Sequence, residues 1–274
     1  MAKYEIKDGA CIIPIGTTEI ERWGYSYLDF RSIVIPDTVT KIGAGAFKNC
    51  IALSSIVIPE SVEEIESEYN ESLVMIERHI YGDIKNWNPY AKREEGHPFA
   101  GCVGLESIVV ANGNKKYDSR NNCNAIIEKA TNKLIVGCKN TIVPNSVTEI
   151  VSKAFKDCIG LTSMIVPNSV TKIGKGAFMG CKDLTSIVIP DSVTEIGERA
   201  FDGCIGLTNV TLPNSVTKIG SYAFQGCSGL TSIVIPDSVT EIEYSAFDDC
   251  IGLTNVTIPN SVTDIGCHAF YGCI

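Results

Sequence analysis

The chain has 274 residues, 45% of them hydrophobic and 20% charged, with a formal net charge of −9. That apolar share excludes disorder as the main state. The acidic balance, with no Lys/Arg cluster anywhere, argues against a surface that tracks nucleic-acid phosphates. Apolar runs end after about five residues, whereas a membrane-spanning helix needs roughly 20, so no membrane insertion is expected. The opening MAKYEIKDGA has no apolar stretch behind its lysine and does not read as a signal peptide.

From Pro14 onward the chain is a tandem repeat. Pro144, Pro167, Pro190, Pro213, Pro236 and Pro259 stand 23 residues apart. A phenylalanine follows each at +11 (Phe155, Phe178, Phe201, Phe224, Phe247, Phe270) and a cysteine at +14 (Cys158, Cys181, Cys204, Cys227, Cys250, Cys273). The frame extends back through Pro36, Phe47, Cys50 and Pro59. It reaches Pro14, where Tyr25 and Leu28 hold the Phe and Cys places in a 22-residue variant. A further copy at Leu105–Val110 has Ala111 in the proline place and is preceded by Phe99 and Cys102. This makes ten units in all.

Each unit carries two apolar rhythms. Leu207, Val210 and Leu212 point one way, and the alternation over Val210–Leu212 predicts a short strand. Pro213 ends it, because proline has no N–H for a sheet ladder. Val216 and Ile219 give a second inward pair, Gly220 a turn, Ala223-Phe224 a wedge, and Cys227 closes the coil. No unit can bury these side chains alone, so the coils must stack into one quasi-one-dimensional core. The whole of 1–274 therefore reads as a single solenoid of parallel strands, short second strands, turns and 3-10-like segments.

Two interruptions break the frame. The first, 67–98, reads SEYNESLVMIERHIYGDIKNWNPYAKREEGHP and holds Tyr69, Tyr81, Trp87 and Tyr90, His79 and His97, and Lys92 and Arg93. Loops leaving a rigid scaffold often carry function. Tyr81, Trp87 and Tyr90 could form a glycan or peptide patch, although packing against the side of the solenoid is the simpler reading. The second, 112–140, begins with the turn signal Asn112-Gly113. Its segments 124–128 and 133–137, around Lys129-Ala130-Thr131-Asn132, predict a β-hairpin inside a modified coil. The last unit stops at Tyr271-Gly272-Cys273-Ile274 without a polar cap, which predicts end-to-end self-association.

The pattern L-x-x-I-x-I-P…V-x-x-I-G-x-x-A-F-x-x-C, carried for example by Leu184, Ile187, Ile189, Pro190, Val193, Ile196, Gly197, Ala200, Phe201 and Cys204, resembles the BspA-like leucine-rich repeats of bacterial surface proteins. The resemblance covers almost the whole chain. It implies a curved leucine-rich-repeat horseshoe of about ten coils, a place at the cell surface or outside the cell, and adhesion to host proteins or other microbes. The Gly-Asp-x-x-x-Trp piece of the first interruption and the hairpin of the second also resemble variant units of that family.

Eight of the 12 cysteines fall on the repeat: Cys50, Cys102, Cys158, Cys181, Cys204, Cys227, Cys250 and Cys273. A column of near-equivalent thiols offers no preferred disulfide pairing. No C-x-x-C occurs and no histidine joins the column, so zinc-ligand spacing is absent. The column reads as small buried hydrophobes, while Cys11, Cys123, Cys138 and Cys267 lie off it. Position +5 after the proline alternates Glu149, Lys172, Glu195, Lys218, Glu241 before Asp264 breaks the series. Stacked like charges would repel, so the alternation predicts a solvated ladder of ion pairs.

The strand face turned away from the core has a central column of Val34, Val57, Val109, Ile165, Val188, Thr211, Val234 and Thr257. Beside it run Ser32, Ser55, Ser107, Ser163, Ser186, Asn209, Ser232 and Asn255. Ordinary β-propensity and an interaction surface explain this neutral face about equally well. Chemistry is harder to find. Gly43-Ala44-Gly45 and Gly174-Lys175-Gly176 are turn glycines of the repeat, and no phosphate loop, nucleophile elbow or zinc-protease motif occurs. Cys267 and His268 are adjacent in sequence and on different faces, so neither they nor His97 compose a catalytic dyad. The expectation is a non-enzymatic, adhesin-like protein-binding module with no cofactor, metal or nucleic-acid partner. A carbohydrate-binding module using the interruption's aromatics and a structural spacer stand as alternatives.

Overall fold

The structure, a computed structural model, is described for residues 4–66 and 96–273. It is a parallel β-solenoid in which each coil repeats three parts. A short strand ends just before the proline, as in Ser163–Ile165, Ser186–Val188 and Asn209–Thr211. The proline carbonyl then accepts the N–H three residues on, as Pro190 does from Val193 at 3.0 Å, which turns the chain. A two-residue strand follows, such as Lys172–Ile173, Glu195–Ile196 or Lys218–Ile219. The remainder is a run of turns closed by N–H to C=O bonds three residues back, as from Ala177 to Gly174 and from Cys181 to Phe178, both 3.1 Å. This is the 3-10-like geometry expected, though a 3-10 helix as such is found among the described residues only at Arg120–Asn122.

Coils pair in parallel with a register equal to the repeat: Ile187 lies against Val210, and Glu149 against Lys172. Threonine hydroxyls reinforce the stack. Thr185 Oγ1 donates to the Thr162 carbonyl at 2.9 Å and Thr208 Oγ1 to the Thr185 carbonyl at 3.2 Å. Antiparallel pairing joins Glu5–Lys7 to Ala10–Ile12 at one end, and Ala125–Glu128 to Lys133–Gly137 in a hairpin. The hairpin's second strand continues the stack, pairing in parallel with Glu149–Ile150.

The inward columns form the core. Leu207, Val210, Leu212, Val216, Ile219, Phe224 and Cys227 are all buried. The phenylalanines stack nearly parallel from Phe155 to Phe270, with ring centroids 5.0–5.5 Å apart. Tyr25 joins the same column, 5.7 Å from Phe47. The charge ladder is present at the surface: Lys172 meets Glu195 at 2.9 Å, Lys218 meets Glu241 at 3.1 Å, and Lys133 meets Glu149 at 2.6 Å. In the final coil Val256, Val262 and Phe270 are only partly buried and Ile265 is exposed.

All 12 cysteines are free thiols. In seven of the eight column positions Sγ donates to the carbonyl of the aromatic residue one coil earlier, as Cys204 does to Phe178 at 3.1 Å and Cys50 to Tyr25 at 3.0 Å. The phenylalanine carbonyls already accept a turn N–H, as that of Phe178 does from Cys181, so the thiol occupies the second lone pair. Cysteine here is a small hydrophobe that also carries a weak donor. Burial pushes the Cys181 and Cys227 thiols well up and Cys250 to about 12, which leaves them protonated and unreactive at neutral pH. Of the other four, Cys11 pairs in register with Ile33 and so holds an inward strand position, and Cys138 stands six residues before Pro144, in the leucine place. Cys123 is buried in the hairpin coil and Cys267 is exposed.

A seam divides the core where the hairpin coil interrupts the ring column. Gly137 stands in the phenylalanine place there: its N–H reaches the Ala154 carbonyl at 2.9 Å, as Phe155 N–H reaches that of Ala177 at 2.8 Å. His97, from the C-terminal end of the first interruption, is buried against this seam with Phe99, Cys102, Lys156 and Cys158. Burial, and with it the Lys156 charge, holds its imidazole down at about 3 from an ordinary 6.5. An unfolded chain takes up this proton below pH 6.5 and the folded one only near pH 3, so His97 costs nothing above 6.5 and stability is lost as pH falls below it. The urea midpoint is expected to drop between pH 6.5 and 5 in the wild type and to stay flatter in His97→Gln. Equal slopes in the two proteins would show that other groups set the dependence.

At the other root of the interruption, Glu66 accepts from Arg22 at 2.6 Å, Lys41 at 2.8 Å and the Ala44 N–H at 3.2 Å. Burial raises its pKa, but these donors outweigh it and hold the carboxyl at about 2.

Candidate binding face

The strand segments before the prolines set the geometry of the outer face. Alternation puts the residues three and one before each proline inward and the one between them outward. Ile187 and Ile189 are buried, whereas Val188 is exposed. The same holds along the stack. Val34, Val57, Val109, Ile165, Val188 and Val234 are between 44% and 73% exposed, and Thr211 and Thr257 are also exposed. The in-register parallel pairing places Ile165 beside Val188 and Val188 beside Thr211.

Two further members were missed by sequence reading. Ile12, two residues before Pro14, is 37% exposed, and Ile142, two before Pro144, is 75% exposed. The proline frame alone would have found both. Ile142 escaped notice because its coil departs from the repeat: Thr141 replaces the inward aliphatic residue and donates from Oγ1 to the Asn124 carbonyl at 2.7 Å.

Along this column lies a shallow groove of about 670 Å³ that crosses three coils and reaches Asn145 of a fourth. Exposed Ile165, Val188 and Thr211 line it together with Pro167, Pro190 and Pro213 and with Asn145, Asn168, Asp191 and Asn214. The proline nitrogens carry no hydrogen, so that part of the lining offers apolar ring surface. Asp191 Oδ1 is in use, accepting from the Asn214 N–H at 3.2 Å. The surface can make apolar contact along the column and hydrogen bonds along its Asn/Ser margins. It presents no nucleophile, base or cation cluster.

The remaining candidate residues are placed elsewhere. Tyr81, Trp87 and Tyr90 lie outside the described residues. Among the described residues no group of three or more His, Cys, Asp or Glu is disposed to hold a metal ion, and no helix is long and apolar enough to cross a membrane.

Parallel coils with this register, an aliphatic core column and one outward strand residue per turn define a leucine-rich-repeat solenoid. The BspA type leucine rich repeat region matches residues 18–131 and 148–274, in six copies, so the chain belongs to that family. It is a repeat protein of the bacterial surface type. The crystal structure of a leucine rich cell surface protein from Faecalibacterium prausnitzii is similar, with 31% identity and a TM-score of 0.68 over 90% of this chain. The chain spans 58% of that protein's length. A leucine-rich repeat protein from Eubacterium ventriosum (19% identity, TM-score 0.56, 97% of this chain and 82% of that one) shares the fold. So does the pneumococcal vaccine antigen PcpA (16% identity, TM-score 0.57, 94% of this chain and 65% of that one). No curated protein matches the chain.

Proposed function

We propose that the protein is a binding module that engages another protein through the outward strand face. The observation that carries this reading is the exposed aliphatic column with its groove. Single exposed apolar side chains are ordinary, but a contiguous row of them rimmed by polar residues is the usual mark of an interaction surface. The outward column is uncharged in a chain of net charge −9 and Asp191 is the one charged residue lining the groove, so recognition there rests mainly on apolar fit and hydrogen bonds. A solenoid also suits extended partners, because each coil adds an equivalent contact.

The test is capture from host extracellular-matrix protein and from bacterial lysate, with bound proteins identified by mass spectrometry. The wild type is compared with the double variant Ile165→Glu/Val188→Glu. Both sites are solvent-exposed, so folding is expected to change by about 0.5 kcal/mol per site, with up to about 1 kcal/mol more from the two in-register carboxylates, checked by urea unfolding of the variant. Capture of a specific protein should fall at least tenfold in the variant. Undiminished capture would sink the strand-face reading.

A further inference from the structure

On the turn segment of the last four coils a second surface is built from different side chains. The Arg199 guanidinium lies over the Tyr222 ring, 4.2 Å from its centroid. Tyr222 meets Tyr244 edge-on at 5.3 Å, Tyr244 meets His268 at 5.6 Å, and His268 meets Tyr271 at 5.5 Å. Tyr244 and Tyr271 are 43% and 66% exposed. The result is a continuous aromatic stripe running across the coils.

Three of the five sit where the backbone discourages them. Arg199, Tyr222 and His268 have φ of 58°, 59° and 61°, the left-handed region. The same repeat position holds Gly176, with φ 58°, two coils before Tyr222. A bulky residue there costs on the order of 1–2 kcal/mol that glycine does not. The left-handed turn belongs to the repeat itself, since Trp23, Lys153 and Ser245 hold the same position at φ of 62°, 61° and 51°.

We propose that this stripe is a binding site for a neutral glycan chain. Aromatic faces, the negative side of the ring quadrupole, stack on the apolar C–H faces of pyranose rings. Asp202, Gln225 and Asp248, one per coil at the position that Tyr271 takes in the last, form a polar margin in which Asp202 accepts from Arg199 and Asp248 from Gln225. The one guanidinium is already neutralised by Asp202 at 2.7 Å and Glu198 at 3.8 Å, so the stripe holds no free cation for an anionic ligand. Successive rings meet edge-on, at interplanar angles of 73°, 77° and 82°, so a sugar ring stacks on alternate members of the stripe and not on each one.

The experiment is retention of the full chain on immobilised neutral polysaccharides of glucose, mannose, galactose and N-acetylglucosamine, with a proline-rich peptide and a sulfated glycan as the other arms. Two variants accompany the wild type. Tyr244→Ala removes the central ring. Tyr222→Gly removes a ring while relieving its backbone, so its thermal midpoint should hold or rise even as binding fails. At least one neutral glycan should bind the wild type and be lost tenfold or more in both variants, and the Ile165→Glu/Val188→Glu protein should bind it normally. The proposal is overturned if no neutral glycan binds, if both variants bind as the wild type does, or if only the proline-rich peptide or the sulfated glycan uses the stripe.

Discussion

Phe201→Ala is expected to destabilise the solenoid by about 3–5 kcal/mol, the cost of a large aromatic cavity in a core that cannot collapse around it. The ring is fully buried and is stacked on both sides, 5.5 Å from Phe178 and 5.2 Å from Phe224. Its neighbours are fixed by the coil spacing and cannot close the gap. Phe270→Ala is the internal control: that ring is partly buried and has one phenylalanine neighbour, Phe247 at 5.2 Å. Its loss should cost clearly less. Urea unfolding of the two variants beside the wild type measures both. Equal costs would mean that the ring column does not act as a continuous stack.

Gly137→Ala is the second large effect, and it arises at the seam. A Cβ on Gly137 would lie 2.0 Å from Phe155 Cε1 and 2.4 Å from Cζ. Phe155 cannot swing aside, because it is fully buried and stacked on Phe178 at 5.0 Å. Overpacking of this kind costs roughly 1–3 kcal/mol or more. The glycine is demanded by space and not by dihedral angle, so a smaller partner should relieve it. In Gly137→Ala/Phe155→Leu the combined loss is expected to be smaller than the sum of the two single losses, a coupling readable in a double-mutant cycle. Strict additivity would show that the clash is absorbed elsewhere.

These two sites differ in how visible they are in the chain. Phe201 is announced by the repeat: six phenylalanines 23 residues apart must share one environment. Gly137 is not, because its coil carries the hairpin and the frame is lost between Ala111 and Pro144. The seam follows from that loss, and so does the burial of His97, which brings an imidazole from the first interruption against the hairpin coil.

The cysteines show the same division. Their column could be read as packing, since equivalent thiols have no preferred partner. The bond from seven of these Sγ atoms to an aromatic carbonyl one coil back could not, because it depends on the offset between stacked turns. The placing of Cys11 and Cys138 was within reach of the repeat frame, which assigns them the Ile33 and leucine positions, but the +14 column drew attention away from them.

The strand face and the aromatic stripe make the contrast plainest. An outward column at a constant offset from proline is a property of period and alternation, so sequence alone lays it out, with Ile12 and Ile142 recoverable by the same rule. The stripe uses +9 in Arg199, Tyr222 and His268, +8 in Tyr244 and +12 in Tyr271. No single column of the repeat carries the stripe. Sequence determines what recurs, because stacking forces equal positions into equal surroundings. Only the tertiary structure decides what meets across unequal positions, because turns bring together side chains whose offsets differ by up to four residues.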